Sequence, residues 1–290
     1  MNYDVIIIGG GPAGVSASLY TKRANLSTLI LHESISSLDK AEKIENYYGF
    51  AKGISGKELY DTGIKQAENI GVEIKKEEVL KIEMSLEGFC IKTNNNEYTS
   101  KAVILATGNK KNKPNIKGID EFEGKGVSYC AVCDGFFYRN KDITVLGNGD
   151  YAISETNELI NIAKEITILT NGLEAPNFRA DNVKIDTRSI DEIQGEDRVE
   201  VIKFKDGEKL NTNGVFVAQG VAGSTEFAKK LGAMTEKDKI VVNEKMETNI
   251  NGLYACGDCT GGTLQIAKAV YQGMVAGMQT IKYVKKLGGK

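Results

Sequence analysis

The chain has 290 residues, 41% of them hydrophobic and 26% charged, which is enough apolar material for two folded domains rather than one small core. A net charge of −2, with no basic tract interleaved with aromatics, gives no footing for nucleic acid. No apolar run reaches the roughly 18 residues that a membrane span needs, and the chain opens directly on a strand. Neither a span nor a signal peptide is expected, and the expected setting is cytoplasmic.

The first predicted element is a strand, Tyr3 to Ile8. It runs into Gly9-Gly10-Gly11-Pro12-Ala13-Gly14, a helical stretch to Arg23, and a second strand, Ser27 to Leu31, closed by Glu33. In that context the glycines permit a tight turn, close approach of a pyrophosphate and close helix–strand packing, while the acid accepts from ribose hydroxyls. Short β-type segments follow, including Phe89 to Thr93, and then the apolar strand Ala102 to Ala106, ended by Thr107 and Gly108. The polar stretch Asn109 to Gly118 reads as a crossing into a second domain. There, Asp142 to Leu146, Gly147-x-Gly149-x-x-Ala152, a helix to about Ala163 and Glu165 to Leu169 repeat the strand–turn–helix–strand unit. Two such units predict an α/β fold with parallel sheets. A return crossing is expected near Val242 to Thr248, ahead of helical periodicity over Leu264 to Lys286. The domains are then 1–112 with 244–290, and an inserted middle domain, 113–243.

Four of the five cysteines form two pairs, Cys130/Cys133 and Cys256/Cys259, with Cys90 alone in a strand pattern. A Cys-x-x-Cys pair closes a disulfide in a tight turn or presents a thiolate of lowered pKa, and the adjacent Asp134 is placed to move the proton of thiol–disulfide exchange. Zinc is the other reading of such spacing. It would have to use both pairs, because the sole histidine, His32, ends a strand of the first unit. No metal is expected.

The segment Thr248 to Asp258 resembles the one by which two-dinucleotide-binding flavoproteins hold the FAD ribityl chain and pyrophosphate, and Ala106-Thr107-Gly108 matches their strand-end motif. Cys130-Ala131-Val132-Cys133-Asp134-Gly135, placed between the FAD segments and just before a second βαβ unit, is similar to the low-molecular-weight flavin thioredoxin reductases. That resemblance implies two Rossmann-like domains, the second inserted in the first, bound FAD, a thioredoxin partner and a homodimer. It implies that Cys133 lies nearest the flavin, that Cys130 attacks the partner disulfide, and that Asp134 is the acid–base. Gly9, Gly11, Pro12, Ala13, Gly14, Glu33, Gly257 and Asp258 would hold the FAD nucleotide and ribityl parts. Asn46, Gln265, Ile266 and Ala267 would lie at the ring, and Val79 at the adenine.

The sequence departs from the family at its nicotinamide site. The family follows its second-unit strand with His-Arg-Arg for the 2′-phosphate of NADPH, whereas this chain reads Thr170-Asn171-Gly172-Leu173-Glu174 after Leu169. A dianionic phosphate finds no bidentate arginine there, and no acid closes the strand as NADH would require. Tyr151 stands where a small serine is common, and the family's Gly-Gly-Gln is replaced around Ser36 to Lys40. The resemblance is then to the ferredoxin-dependent flavin thioredoxin reductases, which lack the NADPH residues. On this reading NADPH is not bound and reduced ferredoxin supplies the electrons. Lys110, Lys111 and Lys113 offer an acidic ferredoxin a basic patch, or form an ordinary solvated linker. Two other readings stay open: an NADPH enzyme with an unusual phosphate site, and a flavoprotein whose dithiol senses redox state without turnover.

Overall fold

Val5, Ile6, Ile7 and Ile8 run without a polar interruption, the pattern of a parallel strand covered on both faces. In the computed structural model, which describes residues 1–33, 38, 41–108, 114–220 and 222–288, these four side chains are buried in β1 (Asn2–Ile8). The chain then forms α1 (Pro12–Arg23), β2 (Thr28–His32), α2 (Gly56–Asn69), β3 (Glu73–Lys76), β4 (Val79–Ser85), β5 (Gly88–Thr93) and β6 (Glu97–Leu105). Helix α2 starts at a Ser55 side chain that accepts the Glu58 N–H, an N-cap that the sequence reading passed over. Strand β1 pairs in parallel with β2 on one side and with β6 on the other, and β2 pairs in parallel with β3. Strands β4, β5 and β6 form an antiparallel meander.

Residues from Lys111 to Ala222 make a compact unit of their own. It contains β7 (Val127–Ser128), the short helix α3 (Ala131–Asp134), β8 (Asp142–Leu146), α4 (Asp150–Leu159), β9 (Glu165–Leu169) and β10 (Val183–Asp186). A three-stranded antiparallel sheet, β11 (Ile190–Gln194), β12 (Val201–Phe204) and β13 (Lys209–Asn211), precedes β14 (Val215–Val217). The larger sheet is parallel throughout, in the order β10-β9-β8-β14-β7. Ile116, Phe122, Val127, Leu146, Leu169, Ile193, Ile202 and Phe204 belong to its core.

The other unit comprises Met1–Lys110 and Gly223–Lys290. After its return come α5 (Ser224–Lys230), β15 (Thr235–Glu236), β16 (Lys239–Ile240), β17 (Leu253–Ala255) and α6 (Ile266–Gly288). Strand β17 pairs in parallel with Val103–Leu105 of β6, on the part of that strand which β5 leaves open. Helix α6 lies on α1 through small residues. A Cβ on Gly273 would stand 2.1 Å from the Ala13 carbonyl oxygen, and Ser16 Oγ donates to the Val270 carbonyl at 2.7 Å.

The return falls at Gly223, some 20 residues before the expected 244. The cause is a set of hydrogen bonds that no local pattern announces. Ser224 N–H donates to Thr107 Oγ1 at 2.7 Å, Thr107 N–H donates to Ser224 Oγ at 3.1 Å, and Met234 N–H donates to Asn249 Oδ1 at 2.8 Å. These ties fix residues 223–240 to the first unit's sheet end. The fold is α/β with two Rossmann-like domains, the second inserted in the first.

Candidate active site

The Gly9–Gly14 turn closes tightly on the end of β6. Gly9 has φ +117, and a Cβ there would lie 2.4 Å from the Ala106 carbonyl oxygen; a Cβ on Gly14 would lie 1.9 Å from the Gly9 carbonyl oxygen. Only glycine fits either place. Helix α1 begins at Gly11 with no side-chain cap, proline in its first turn and no acid there. Its first N–H groups have no partner within the helix, so its positive end is free for an anion.

Two further segments come to this turn. Gly257, at φ +82, would place a Cβ 3.0 Å from the Ala13 side chain, and Cys256 N–H donates to the Leu105 carbonyl at 3.0 Å. Lys268 Nζ donates to the carbonyls of Gly257 (2.9 Å) and Gly261, and Lys239 Nζ donates to that of Asp258 (3.3 Å). Burial holds the Lys268 ammonium below the usual lysine range. Asn46 Nδ2 meets Gln265 Oε1 at 3.2 Å, next to Ile266 and Ala267 at the start of α6. Gly108 has φ +77 and open space where a Cβ would be. Glu33 is exposed directly after β2, and Val79 is buried in β4. The structure thus brings Gly9 to Gly14, Ala106 to Gly108, and Gly257 and Asp258 to one sheet end. A capless helix start beside glycine-only turns fits the pyrophosphate of FAD. The segment Ser36 to Lys40, of which only Leu38 is described, and Lys110, Lys111 and Lys113 lie outside the described residues.

In the inserted unit Cys130 and Cys133 form a disulfide with Cα atoms 5.3 Å apart. Cys130 caps α3, where its Sγ accepts the Cys133 N–H at 3.2 Å. The carboxylate of Asp134 accepts from Ser128 Oγ at 2.6 Å, and that oxygen also accepts the Cys130 N–H at 3.1 Å. On the other flank Glu155, 2% exposed, accepts the Ala131 N–H at 3.0 Å. Sequence reasoning missed both Ser128 and Glu155. A signal for Glu155 existed: Tyr151, Ala152, Glu155, Thr156 and Leu159 share the helical spacing of a buried face, and an acid among them is out of place. Cys130 is buried and Cys133 exposed.

The second pair stands apart chemically. Cys256 and Cys259 are free and buried; burial pushes both thiols up, Cys259 to about 11. A group with a pKa raised in this way stays protonated as pH rises through neutrality. Native protein reduced with dithiothreitol and treated with iodoacetamide at pH 8 is therefore expected to label Cys133 early and Cys256 and Cys259 only after unfolding, as read by peptide mass spectrometry. Cys90, alone in its strand pattern, is half-buried in β5 and donates to Glu97 Oε1 at 3.3 Å.

The second glycine turn differs from the first. Its loop after β9 is tied down, with Asn148 Nδ2 donating to the Glu174 carbonyl at 3.3 Å and Thr170 Oγ1 to the Leu173 carbonyl at 2.6 Å. Downstream, Arg188 is engaged by Asp186, at 2.6 Å through Nη2, and stacks on Phe204. The Tyr151 ring is buried, so it does not stand free at the turn.

A mixed-sheet unit whose glycine turn fits a dinucleotide, carrying an inserted unit with a hydrogen-bonded Cys-x-x-Cys disulfide, defines a flavin-dependent disulfide oxidoreductase. Residues 3–273 match the family of pyridine nucleotide-disulphide oxidoreductases. The chain is 36% identical to a thioredoxin reductase of Bacillus subtilis over 305 residues, covering 98% of this chain and 96% of the relative. It is 38% identical to the atypical thioredoxin reductase TRi of Desulfovibrio vulgaris Hildenborough, with a TM-score of 0.88 over 97% of this chain and 98% of that one. A ferredoxin-flavin thioredoxin reductase of Clostridium acetobutylicum is 37% identical, with a TM-score of 0.70 over 100% and 99% of the two chains. The chain belongs to the low-molecular-weight thioredoxin reductase family, which implies FAD. Among the described residues no helix is long and apolar enough to cross a membrane.

Proposed function

We propose that the chain reduces thioredoxin with electrons from reduced ferredoxin and does not use NADPH. The observation that carries this reading is the loop after β9. It holds no cation from Thr170 to Glu174 and is bonded to the glycine turn through Asn148. A 2′-phosphate needs charge-assisted donors at that edge. Likeness to the Clostridium acetobutylicum ferredoxin-flavin enzyme supports the reading. From a ferredoxin near −400 mV to thioredoxin near −270 mV, the fall of ~130 mV releases about 6 kcal/mol for two electrons.

When bound, FAD accepts single electrons and delivers a pair. Gly9 to Gly14 and the free end of α1 would hold its pyrophosphate, Glu33 its adenosine ribose, Asp258 its ribityl chain, and Asn46, Gln265, Ile266 and Ala267 its ring. In the inserted unit the Cys130–Cys133 disulfide takes two electrons and two protons. Cys130, as thiolate, then attacks the partner disulfide, and one partner sulfur leaves with a proton supplied through Asp134. Cys133 attacks the resulting mixed disulfide, which frees reduced thioredoxin and restores Cys130–Cys133. Val132, Phe136 and Phe137 are exposed around this pair and give a partner an apolar surface. We place the enzyme in the cytoplasm as a homodimer, following its family.

The curated relatives named simply as thioredoxin reductases favour a second reading, in which NADPH is the donor. Anaerobic titration separates the two. Reduced ferredoxin is expected to bleach the bound flavin within seconds at stoichiometric amounts, and 100 μM NADPH to leave it yellow over the same time. Rapid bleaching by micromolar NADPH would sink the ferredoxin reading.

A further inference from the structure

Asp258, the acid assigned to the FAD ribityl chain, stands in a loop that holds itself together weakly. It belongs to a single 3-10 turn, Gly257–Thr260, with left-handed glycines at its start and just past its end: Gly257 at φ +82, Gly261 at φ +74 and Gly262 at φ +72. Glycine has more backbone freedom to lose than any other residue, so keeping such a loop in one shape is costly in entropy. Inside the loop, Thr260 Oγ1 donates to the Gly257 carbonyl at 2.9 Å, and the Gly261 N–H to the Asp258 carbonyl at 3.1 Å. From β16, Lys239 Nζ adds the contact to the Asp258 carbonyl already described.

Helix α6 supplies the stronger hold. Lys268 and Gln272 stand at i and i+4, neighbours on one face of that helix. Lys268 Nζ donates to the carbonyls at the two ends of the turn, Gly257 at 2.9 Å and Gly261. Gln272 Oε1 accepts the Gly257 N–H at 2.9 Å and Thr260 Oγ1 at 3.1 Å. One side chain gives protons and the other takes them, and between them they grip Gly257, Thr260 and Gly261, on both sides of Asp258. Burial works against the Lys268 ammonium, and the charge of Asp258 works for it. An apolar side chain of the same length would be buried there at less cost and would hold neither carbonyl.

We propose that Lys268 and Gln272 are positioning residues of the FAD site, a clasp from α6 that fixes the Gly257–Gly261 loop and so sets the place of the Asp258 carboxylate. This rests on the reading of Asp258 as a ligand of the ribityl chain, and the test separates the two.

The FAD-loaded protein and its variants are diluted in series. The FAD released at each concentration, read by its fluorescence, gives a dissociation constant without ferredoxin, thioredoxin or turnover. Lys268→Met keeps the length of the side chain and removes its donors, and is expected to raise that constant about tenfold or more. Gln272→Met, which releases the loop from the other side of the clasp, is expected to raise it about fivefold. Lys268→Arg keeps a charged donor and is expected to stay within about threefold of the native value. Residues that act through one another are not additive, so on an Asp258→Ala background Lys268→Met should change the constant by less than about twofold. Far-UV circular dichroism serves as the check on folding. A native constant for either methionine variant, beside a raised one for Asp258→Ala, overturns the clasp and leaves the Asp258 reading standing. A full-sized Lys268→Met effect on the Asp258→Ala background also overturns it, as does an arginine variant as weakened as the methionine one. Should Asp258→Ala alone bind FAD as the native protein does, the Asp258 reading is the one that has failed, and the clasp falls with it.

Discussion

Cys130→Ser is expected to lower thioredoxin reduction by on the order of 10³-fold or more, whichever donor is supplied. Thiolate attack is the step that covalently joins enzyme and partner, and a serine hydroxyl at neutral pH is no substitute for it. The substitution is nearly isosteric, so the Ser128 and Glu155 bonds that hold the turn should persist. Flavin absorbance is therefore expected to stay native while turnover disappears. The exposure of the two sulfurs adds a discriminating measurement. Cys133 is exposed and Cys130 buried, so attack by Cys130 requires it to become uncovered. A thioredoxin with one active-site cysteine, activated as an aryl disulfide, reports which sulfur attacks. Reduced Cys133→Ser should displace the aryl thiol and keep a covalent adduct, while reduced Cys130→Ser should do so far more slowly. The opposite order would exchange the roles of the two cysteines and leave the dithiol itself intact.

Much of this was legible in the sequence where the cause is local. The glycine turns, the apolar strands β1, β6 and β8, and the Cys-x-x-Cys turn follow from neighbours within a few residues, and the structure places them accordingly. What the sequence hid depends on partners far along the chain. The return of the chain at Gly223 is set by Thr107 and Ser224, 117 residues apart. Asn46 and Gln265 meet across 219 residues, and only the family resemblance had paired them with one cofactor region. Ser128 and Glu155 are polar residues made significant by what they touch, and a serine two residues ahead of a cysteine carries no pattern of its own. Glu155 was readable in principle, as an acid on a helical face otherwise committed to the core.

The two glycine turns invite a paired substitution whose outcomes should be opposite. Gly14→Ala puts a methyl 1.9 Å from the Gly9 carbonyl oxygen and 3.2 Å from Ile7 Cγ2, both parts of a packed sheet end. Helix α1 must then retreat, and its free N–H groups leave the place where a pyrophosphate would sit. Overpacking of this kind costs about 1–3 kcal/mol in stability. The loss of well-placed anion contacts should weaken FAD by roughly 100-fold, equivalent to about 2.7 kcal/mol. The variant should purify nearly colourless, and titration of apoprotein with FAD would measure the loss. Gly149→Ala tests the second turn. Gly149 lies at φ −98 with nothing within 4 Å of the new methyl, so the fold has no reason to object. That space is the one a nicotinamide dinucleotide's pyrophosphate would need, since the middle glycine of such a turn exists for its close approach. With ferredoxin as donor, Gly149→Ala should keep native stability and native thioredoxin reduction. A large fall in NADPH-driven turnover by the same variant would show instead that the turn still binds a nucleotide.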